Sequence, residues 1–80
     1  MKGRVYVTLK KGVLDPQGKA IQQSLISLGH TEIKEVRVGK FFDVMIEGVS
    51  SEQAIKELRQ MAENLLANQV IEDFEVELLP

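Results

Sequence analysis

The order in which hydrophobic periodicity changes along the chain is the feature that most constrains its fold. Alternation of apolar and polar residues is typical of a half-buried strand, whereas apolar residues three and four apart are typical of an amphipathic helix. The patterns occupy six segments, which in chain order are 4–10, 16–28, 33–38, 41–47, 50–67 and 73–78. The second and fifth segments have helical spacing, and the other four alternate. The sequence therefore predicts the element order β-α-β-β-α-β, a split βαβ arrangement.

Capping signals support both helices. Asp15, whose carboxylate can accept a backbone N–H, precedes Pro16. The first turn is the part of a helix that accommodates proline best. Gly29 supplies the left-handed residue that commonly ends a helix. Ser50 and Gln53 have the spacing of a capping box at the start of the second helix.

The two middle strands are expected to form a hairpin, because only Gly39 and Lys40 separate them. With two helices on one face, this order predicts an α+β fold, a two-layer, ferredoxin-like antiparallel sheet of four strands. The first strand then lies between the third and the last. Arg4 and Lys10 would oppose the three acidic residues of the last strand, which favours this placement. A length of 80 residues fits one domain spanning 1–80.

The uncovered face of the sheet is expected to mediate self-association. It would carry an apolar and aromatic patch formed by Tyr6, Thr8, Phe41, Met45 and Ile71. Contiguous exposed apolar patches mark association surfaces. A domain of this size buries little surface, and this chain has no cysteine for disulfides, so oligomerisation is the remaining way to reinforce it.

Residue chemistry argues against catalysis and metal binding. Nucleophilic catalysis needs an activated group with a base in reach, but the chain has no cysteine, one histidine and no Gly-x-Ser-x-Gly turn. Zinc requires several His or Cys ligands, and the acidic residues lack the spacing of a calcium loop. His30 follows the helix-ending Gly29, where we expect its ring to cap carbonyls. We therefore predict no catalytic, cofactor-binding or metal-binding residue.

Phosphate and nucleic-acid binding are also disfavoured. The segment 12–20 has five residues between its glycines, where a phosphate-binding loop has four, and ends on Ala20 in place of a hydroxyl residue. Ten Lys and Arg against twelve Asp and Glu give a net charge of -2, which provides no electrostatic basis for binding nucleic acid. RNA-recognition modules share the element order, but the glycine and basic residue of 39–44 are in the wrong order for their stacking strand. Without a membrane-spanning apolar run or a signal-peptide pattern, we expect a soluble cytoplasmic protein.

Three segments carry a resemblance to a known family. They are VLDPQGKAI at 13–21, LG at 28–29 and VRVGK at 36–40. With the length and the element order, these segments resemble the PurS family, the small subunit of phosphoribosylformylglycinamidine (FGAM) synthase. The resemblance covers essentially the whole chain and implies a PurS-like fold.

The resemblance implies a non-catalytic subunit of a purine-biosynthetic ligase. The complex of that family carries out the ATP- and glutamine-dependent amidation of formylglycinamide ribonucleotide, and its small subunit bridges the synthetase subunit PurL and the glutaminase subunit PurQ. ATP and Mg²⁺ are then expected on the large partner subunit. The resemblance also implies that the chain assembles with itself as a dimer or tetramer, in which an edge strand could pair across the dimer.

Six residues of the family-like segments lie outside the apolar faces and are expected near partner contacts: Asp15, Pro16, Gly18, Arg37, Gly39 and Lys40. Arg37 and Lys40 are favoured among them, because helix initiation or a turn already explains most of the others. A regulatory module of the ACT type, which shares the element order and binds amino acids at dimer interfaces, is the alternative. Gly12, between the first strand and the first helix, is the feature that motivates it.

Overall fold

The computed structural model describes all 80 residues as one antiparallel sheet and two helices. In chain order the elements are β1 (Lys2–Leu9), α1 (Pro16–Ser27), β2 (Gly39–Met45), α2 (Ser51–Met61) and β3 (Glu72–Leu79). A π-helical turn, Ala62–Leu66, continues α2. The strand order in the sheet is β2-β1-β3. The α+β class, both helices and the central position of the first strand are confirmed.

The core lies between α2 and one face of the sheet. Val5 and Val7 of β1 are 0% and 1% exposed, and Leu58 of α2 is fully buried in the same cluster. Burying side chains of this size stabilises the fold by about 1.5–3 kcal/mol each. A Cβ atom at Gly3 would lie 2.5 Å from Leu58 Cδ1, so glycine at this position allows α2 to approach the central strand.

The π-helical turn changes which side chains at the end of the second helix face the core. The Ala67 N–H donates to the Ala62 carbonyl, five residues back, at 2.9 Å. Ala62 is fully buried and Ala67 nearly so, whereas Leu65 is 83% exposed. The helical spacing of 50–67 predicts Leu65 on the core face, and that prediction is wrong because the wider turn rotates the residue outward.

Capping interactions at the end of α1 and at the start of α2 form at the predicted residues. Gly29 has φ +107°, and the His30 N–H donates to the Leu25 carbonyl at 3.0 Å, which completes a Schellman motif at the end of α1. At the start of α2, Ser50 Oγ accepts the Gln53 N–H at 3.1 Å. The side chain of Gln53 donates to Glu57 Oε1 and does not accept the Ser50 N–H, so the capping box is half formed.

The strand predicted at 33–38 and the hairpin predicted at Gly39 and Lys40 do not form. The segment pairs with no strand, and Gly39 and Lys40 are the first residues of β2, opposite Thr8 and Val7. The sheet of the single chain therefore has three strands, not four. The reason is a set of contacts between residues distant in sequence: the side chains of Asp15, which caps α1, and of Gln22, within α1, bind the backbone of 33–38 and hold it against the helix.

Helix α1 and the segment that returns from it project from the sheet. No α1 residue belongs to the core cluster. The chain measures 50 × 28 × 14 Å and has a radius of gyration of 16.0 Å, whereas a compact chain of this length has about 12 Å. We define residues 10–38 as the arm and residues 1–9 with 39–80 as the body.

Candidate functional site

The open face of the sheet, opposite α2, brings together the residues predicted for self-association. Tyr6 lies opposite Phe41 in the β1–β2 register, and their ring centroids are 6.4 Å apart. Phe41 is 54% and Met45 is 72% exposed, and Thr8 is exposed on the same face. Ile71 precedes β3 and lies outside the sheet. We define Tyr6, Thr8, Phe41 and Met45 as the open-face patch.

An ion-pair cluster borders the open-face patch. Arg4 Nε and Nη2 donate to the two carboxylate oxygens of Asp43 at 2.7 and 3.2 Å, and Lys2 Nζ lies 3.5 Å from Asp43 Oδ2. The Arg4 guanidinium also stands 4.3 Å from the centre of the Phe41 ring. The hydrogen bond from Arg4 holds the pKa of Asp43 below its ordinary value. The cluster thus fixes the Phe41 ring on the open face.

Asp73, Glu75 and Glu77 of β3 are left without basic partners. The β1–β3 register places Arg4 opposite Glu77, as predicted, but the guanidinium turns to Asp43 on the other neighbouring strand. Glu77 instead accepts a hydrogen bond from the Tyr6 hydroxyl at 3.0 Å. Lys10 lies beyond the paired residues. The predicted placement of Arg4 opposite an acidic residue of β3 is therefore confirmed, whereas that of Lys10 and the predicted charge pairs with β3 are wrong.

Asp15 joins the two halves of the arm. Its side chain is 5% exposed, with Oδ1 accepting the Gly18 N–H at 2.7 Å and Oδ2 accepting the Val38 N–H at 2.8 Å. These two bonds, the Val38 bond first, hold the pKa of Asp15 below its ordinary value. A Cβ at Gly18 would collide with the Val36 carbonyl oxygen, so only glycine permits the close approach. Asp15 and Gly18 therefore position the arm.

The other predicted partner residues lie around the junction of arm and body. Arg37 Nη2 donates to the Lys10 carbonyl at 3.1 Å, and Lys40 Nζ lies 4.0 Å from a β3 carboxylate. Both side chains are exposed, so their charges can reach another protein. Pro16 occupies the first turn of α1, and Gly39 opens β2. The structure thus places these four residues near one another in the fold.

Two features of the arm differ from the sequence-based picture. Gln22 Nε2 donates to the Lys34 carbonyl at 2.8 Å, a bond that no sequence pattern indicates. The ring of His30, expected to cap carbonyls, is exposed and lies 3.9 Å from Glu32. The helix end is capped by the backbone N–H of His30, so the predicted role of its ring is wrong.

The chain has no group of three or more His, Cys, Asp or Glu side chains placed to hold a metal ion. Neither helix has the length and apolar character that a membrane crossing requires.

Comparison with known proteins places this architecture in a family. The family model described as PurS, phosphoribosylformylglycinamidine (FGAM) synthase, matches residues 2–80. The chain belongs to the PurS family. This confirms the resemblance found in the sequence, and it favours a PurS assignment over an ACT-type module.

Relatives within the PurS family match over nearly their whole length. The chain is 43% identical over 77 residues to the phosphoribosylformylglycinamidine synthase subunit PurS of Methanocaldococcus jannaschii, covering 96% of this chain and 93% of the relative. It is 46% identical to the Bacillus subtilis subunit over 77 residues, covering 96% and 90%. The solved structure of the M. jannaschii PurS aligns with a TM-score of 0.85 at 42% identity, covering 95% and 92%. A chain in the structure of PurLQS from Thermotoga maritima aligns with a TM-score of 0.88 at 31% identity, covering 98% and 95%.

Proposed function

We propose that this chain is the PurS subunit of FGAM synthase, a non-catalytic subunit of the ligase that amidates formylglycinamide ribonucleotide with ATP and glutamine. The family match over 2–80 carries the proposal, and the similarity to a chain of the T. maritima PurLQS structure supports it. The subunit bridges the synthetase PurL and the glutaminase PurQ in the cytoplasm. ATP and Mg²⁺ bind to the large partner subunit.

The shape of the single chain supports an assembly role. The arm exposes apolar side chains of α1 and of the residue that caps its end: Ile21 is 37%, Ile26 39% and Leu28 76% exposed. The body exposes the open-face patch, and the backbone of 33–38 pairs with no strand. Exposed apolar area and unpaired extended backbone are both stabilised by contact with another chain. A subunit that bridges two proteins needs such surfaces and needs no nucleophile.

Self-association is part of the proposal. Two copies would cover each other's apolar surface, with the extended segment 33–38 of one copy adding to the sheet edge of the other. This arrangement would restore the fourth strand that the β-α-β-β-α-β order predicts, supplied by the partner copy. The open-face patch, Tyr6, Thr8, Phe41 and Met45, is the second surface proposed for contact between copies. Closed dimers and dimers of dimers are the common outcomes of such pairing.

The partner-contact residues divide into two groups in this proposal. Asp15, Pro16, Gly18 and Gly39 set the position of the arm, and Arg37 and Lys40 present charge to PurL or PurQ. Their placement at the junction of arm and body supports the division.

Reconstitution tests the proposed function. Purified PurL, PurQ and this chain are mixed with ATP, Mg²⁺, formylglycinamide ribonucleotide and glutamine, and amidine formation is measured with and without the chain. We expect glutamine-dependent activity only in the complete mixture, together with co-elution of the three proteins. Equal activity without the chain, or activity from the chain alone, contradicts the proposal. A thermal-shift assay with a panel of amino acids distinguishes this function from that of an ACT-type module. A bridging subunit should keep the same melting temperature with every amino acid, whereas an ACT-type module should melt at a higher temperature with its ligand.

A further inference from the structure

A cleft of about 460 Å³ lies in the arm, between the start of α1 and the segment 33–38. Lys19 of α1 and Lys34 and Arg37 of the returning segment line it, together with Glu35 and the buried Asp15. Most of its lining residues are polar. The cleft belongs to neither the core nor the open-face patch.

The three cations of the cleft outnumber its two carboxylates and form no ion pair within the chain. No carboxylate oxygen lies within 4.0 Å of Lys19, Lys34 or Arg37, since the four ion pairs of the molecule involve other cations. Both oxygens of Asp15 are occupied by backbone N–H donors. Glu35 is exposed and forms no ion pair, and with the Asp15 carboxylate it leaves the lining with a formal excess of one positive charge.

The positive charge of the cleft is part of an uneven distribution of charge between the arm and the body. The arm, 10–38, has five Lys and Arg against three Asp and Glu, a formal charge of +2 in a chain whose net charge is -2. The body therefore has five against nine, a formal charge of -4. Surfaces of one sign attract and orient partners of the opposite sign. The arm is thus suited to an acidic partner, and the body is not.

The walls of the cleft are fixed before any partner arrives. Gln22 donates to the Lys34 carbonyl at 2.8 Å, Asp15 bonds Val38 at 2.8 Å, and Arg37 donates to the Lys10 carbonyl at 3.1 Å. Backbone held in this way loses little further entropy on binding, so a preformed cleft binds more tightly than a flexible one.

The character of the cleft argues against a second copy of this chain as its occupant. Interfaces between identical subunits are more apolar than other surfaces and are depleted of charged residues at their centre. The apolar surfaces of this chain lie elsewhere, on the exposed side of α1 and on the open-face patch. A cleft lined by free cations fits a polar, non-identical interface better.

We infer that the cleft between α1 and 33–38 docks a carboxylate-bearing segment, rich in Asp and Glu, of a partner subunit. The inference rests on the proposed function, and it adds where and by what chemistry the partner is held. Lys19 and Lys34 contact the carboxylates, and the charge of Arg37, which lines the same cleft, adds to the attraction. Because solvent ions screen such contacts, salt weakens the docking.

A charge-reversal pair with a matched control tests the inference. The variant Lys19→Glu/Lys34→Glu changes the cleft, and Lys56→Glu/Arg59→Glu makes the same net charge change on exposed residues of α2 that form no ion pair. Lys19→Gln/Lys34→Gln provides a milder version if the reversal disturbs folding. Affinity for purified PurL, for PurQ and for both together is measured by calorimetry at low and high salt, and the mass of each variant alone is measured by light scattering.

We expect the cleft variant to bind one partner at least about 30-fold more weakly than the wild type, with an affinity that depends less on salt. Its mass in light scattering should equal that of the wild type, so self-association is unchanged. The α2 control should bind within about threefold of the wild type, since exposed charges outside an interface matter little.

Equal effects of the two variants, or no effect of either, overturn the inference and leave the proposed function standing. Loss of self-association by the cleft variant also overturns it, because the occupant is then a second copy. Saturation of the free cleft by inorganic phosphate without competition from a partner overturns it in favour of a small anion. A wild-type chain that binds neither partner overturns the proposed function, and this inference with it.

Discussion

The body and the arm differ in where their apolar surface goes and in what holds them together. In the body, Val5, Val7 and Leu58 are buried between the sheet and α2. In the arm, the apolar side chains of α1 stay exposed, and polar bonds from Asp15 and Gln22 determine its shape. Hydrogen bonds fix geometry but contribute less net stability than burial of a full core. The body therefore has a core of its own, whereas the arm is shaped by its own hydrogen bonds and keeps apolar surface that another chain can cover.

The largest effect should come from the core of the body. Leu58→Ala removes a fully buried side chain and leaves a cavity, so we expect the free energy of unfolding to fall by about 2–5 kcal/mol. Urea unfolding followed by circular dichroism measures it. The control Leu65→Ala, at a residue that is 83% exposed, should change stability by less than about 0.5 kcal/mol. Similar losses in both variants would show that the body is not organised around Leu58.

The next effect should be confined to the arm. Gly18→Ala places a Cβ against the Val36 carbonyl oxygen, and the strain should cost about 1–3 kcal/mol. We expect faster amide hydrogen exchange in α1 and unchanged exchange in β1. Ser24→Ala, at an exposed residue of α1, serves as the control and should leave both regions unchanged. Equal acceleration in β1 would contradict the separation of arm and body.

Acid should loosen the arm through Asp15. Its pKa in the folded chain is below the ordinary value of 3.8, so its contribution is fully present above 3.8 and is lost as the pH falls through the lower folded value. The Val38 amide resonance, followed from neutral pH downward, reports the bond. Asp43 also has a lowered pKa, so Asp15→Asn is needed to assign the transition. The Asp15→Asn variant should loosen the arm at neutral pH, and its Val38 amide resonance should show no further change as the pH falls. If the change with pH persists in this variant, the titration belongs to a group other than Asp15.

The smallest effect on the stability of the single chain is expected at the open-face patch. Phe41→Ser changes a side chain that is 54% exposed and contacts only Tyr6 and Arg4 on the open face, so the free energy of unfolding should fall by about 1 kcal/mol or less. Self-association, measured by sedimentation across a dilution series, should nevertheless weaken. Gln60→Ser on the exposed side of α2 should leave the oligomer distribution unchanged. Unaltered association of the Phe41 variant would remove the patch from the interface between copies.

Most elements could be predicted from local sequence because their signals are local. Alternation around Val5 and Val7, the caps at Asp15 and Ser50, and the left-handed Gly29 each act within a few residues, and each is present in the structure. The strand at 33–38 could not be judged in this way. Its alternation is typical of a strand, but Asp15 and Gln22 bind its backbone from a distant part of the sequence.

The interaction surfaces were predictable to a smaller extent. The open-face patch follows from alternation alone, since Tyr6 and Phe41 must share a face once their strands pair. The cleft was not predicted because Lys19 and Lys34 are fifteen residues apart and come together only when 33–38 folds back on α1. The uneven distribution of charge between 10–38 and the remainder is the sequence signal that could have indicated it.

Amide hydrogen exchange of residues 33–37 tests the central claim most directly. The backbone N–H groups of these residues have no hydrogen-bond partner in the single chain, whereas the Val38 N–H is bound by Asp15. If another chain completes the arm, these five amides should exchange freely in the dilute protein and become protected as its concentration rises or as PurL and PurQ are added. Exchange at the unprotected rate at every concentration and in the complete mixture would show that no chain pairs with this segment.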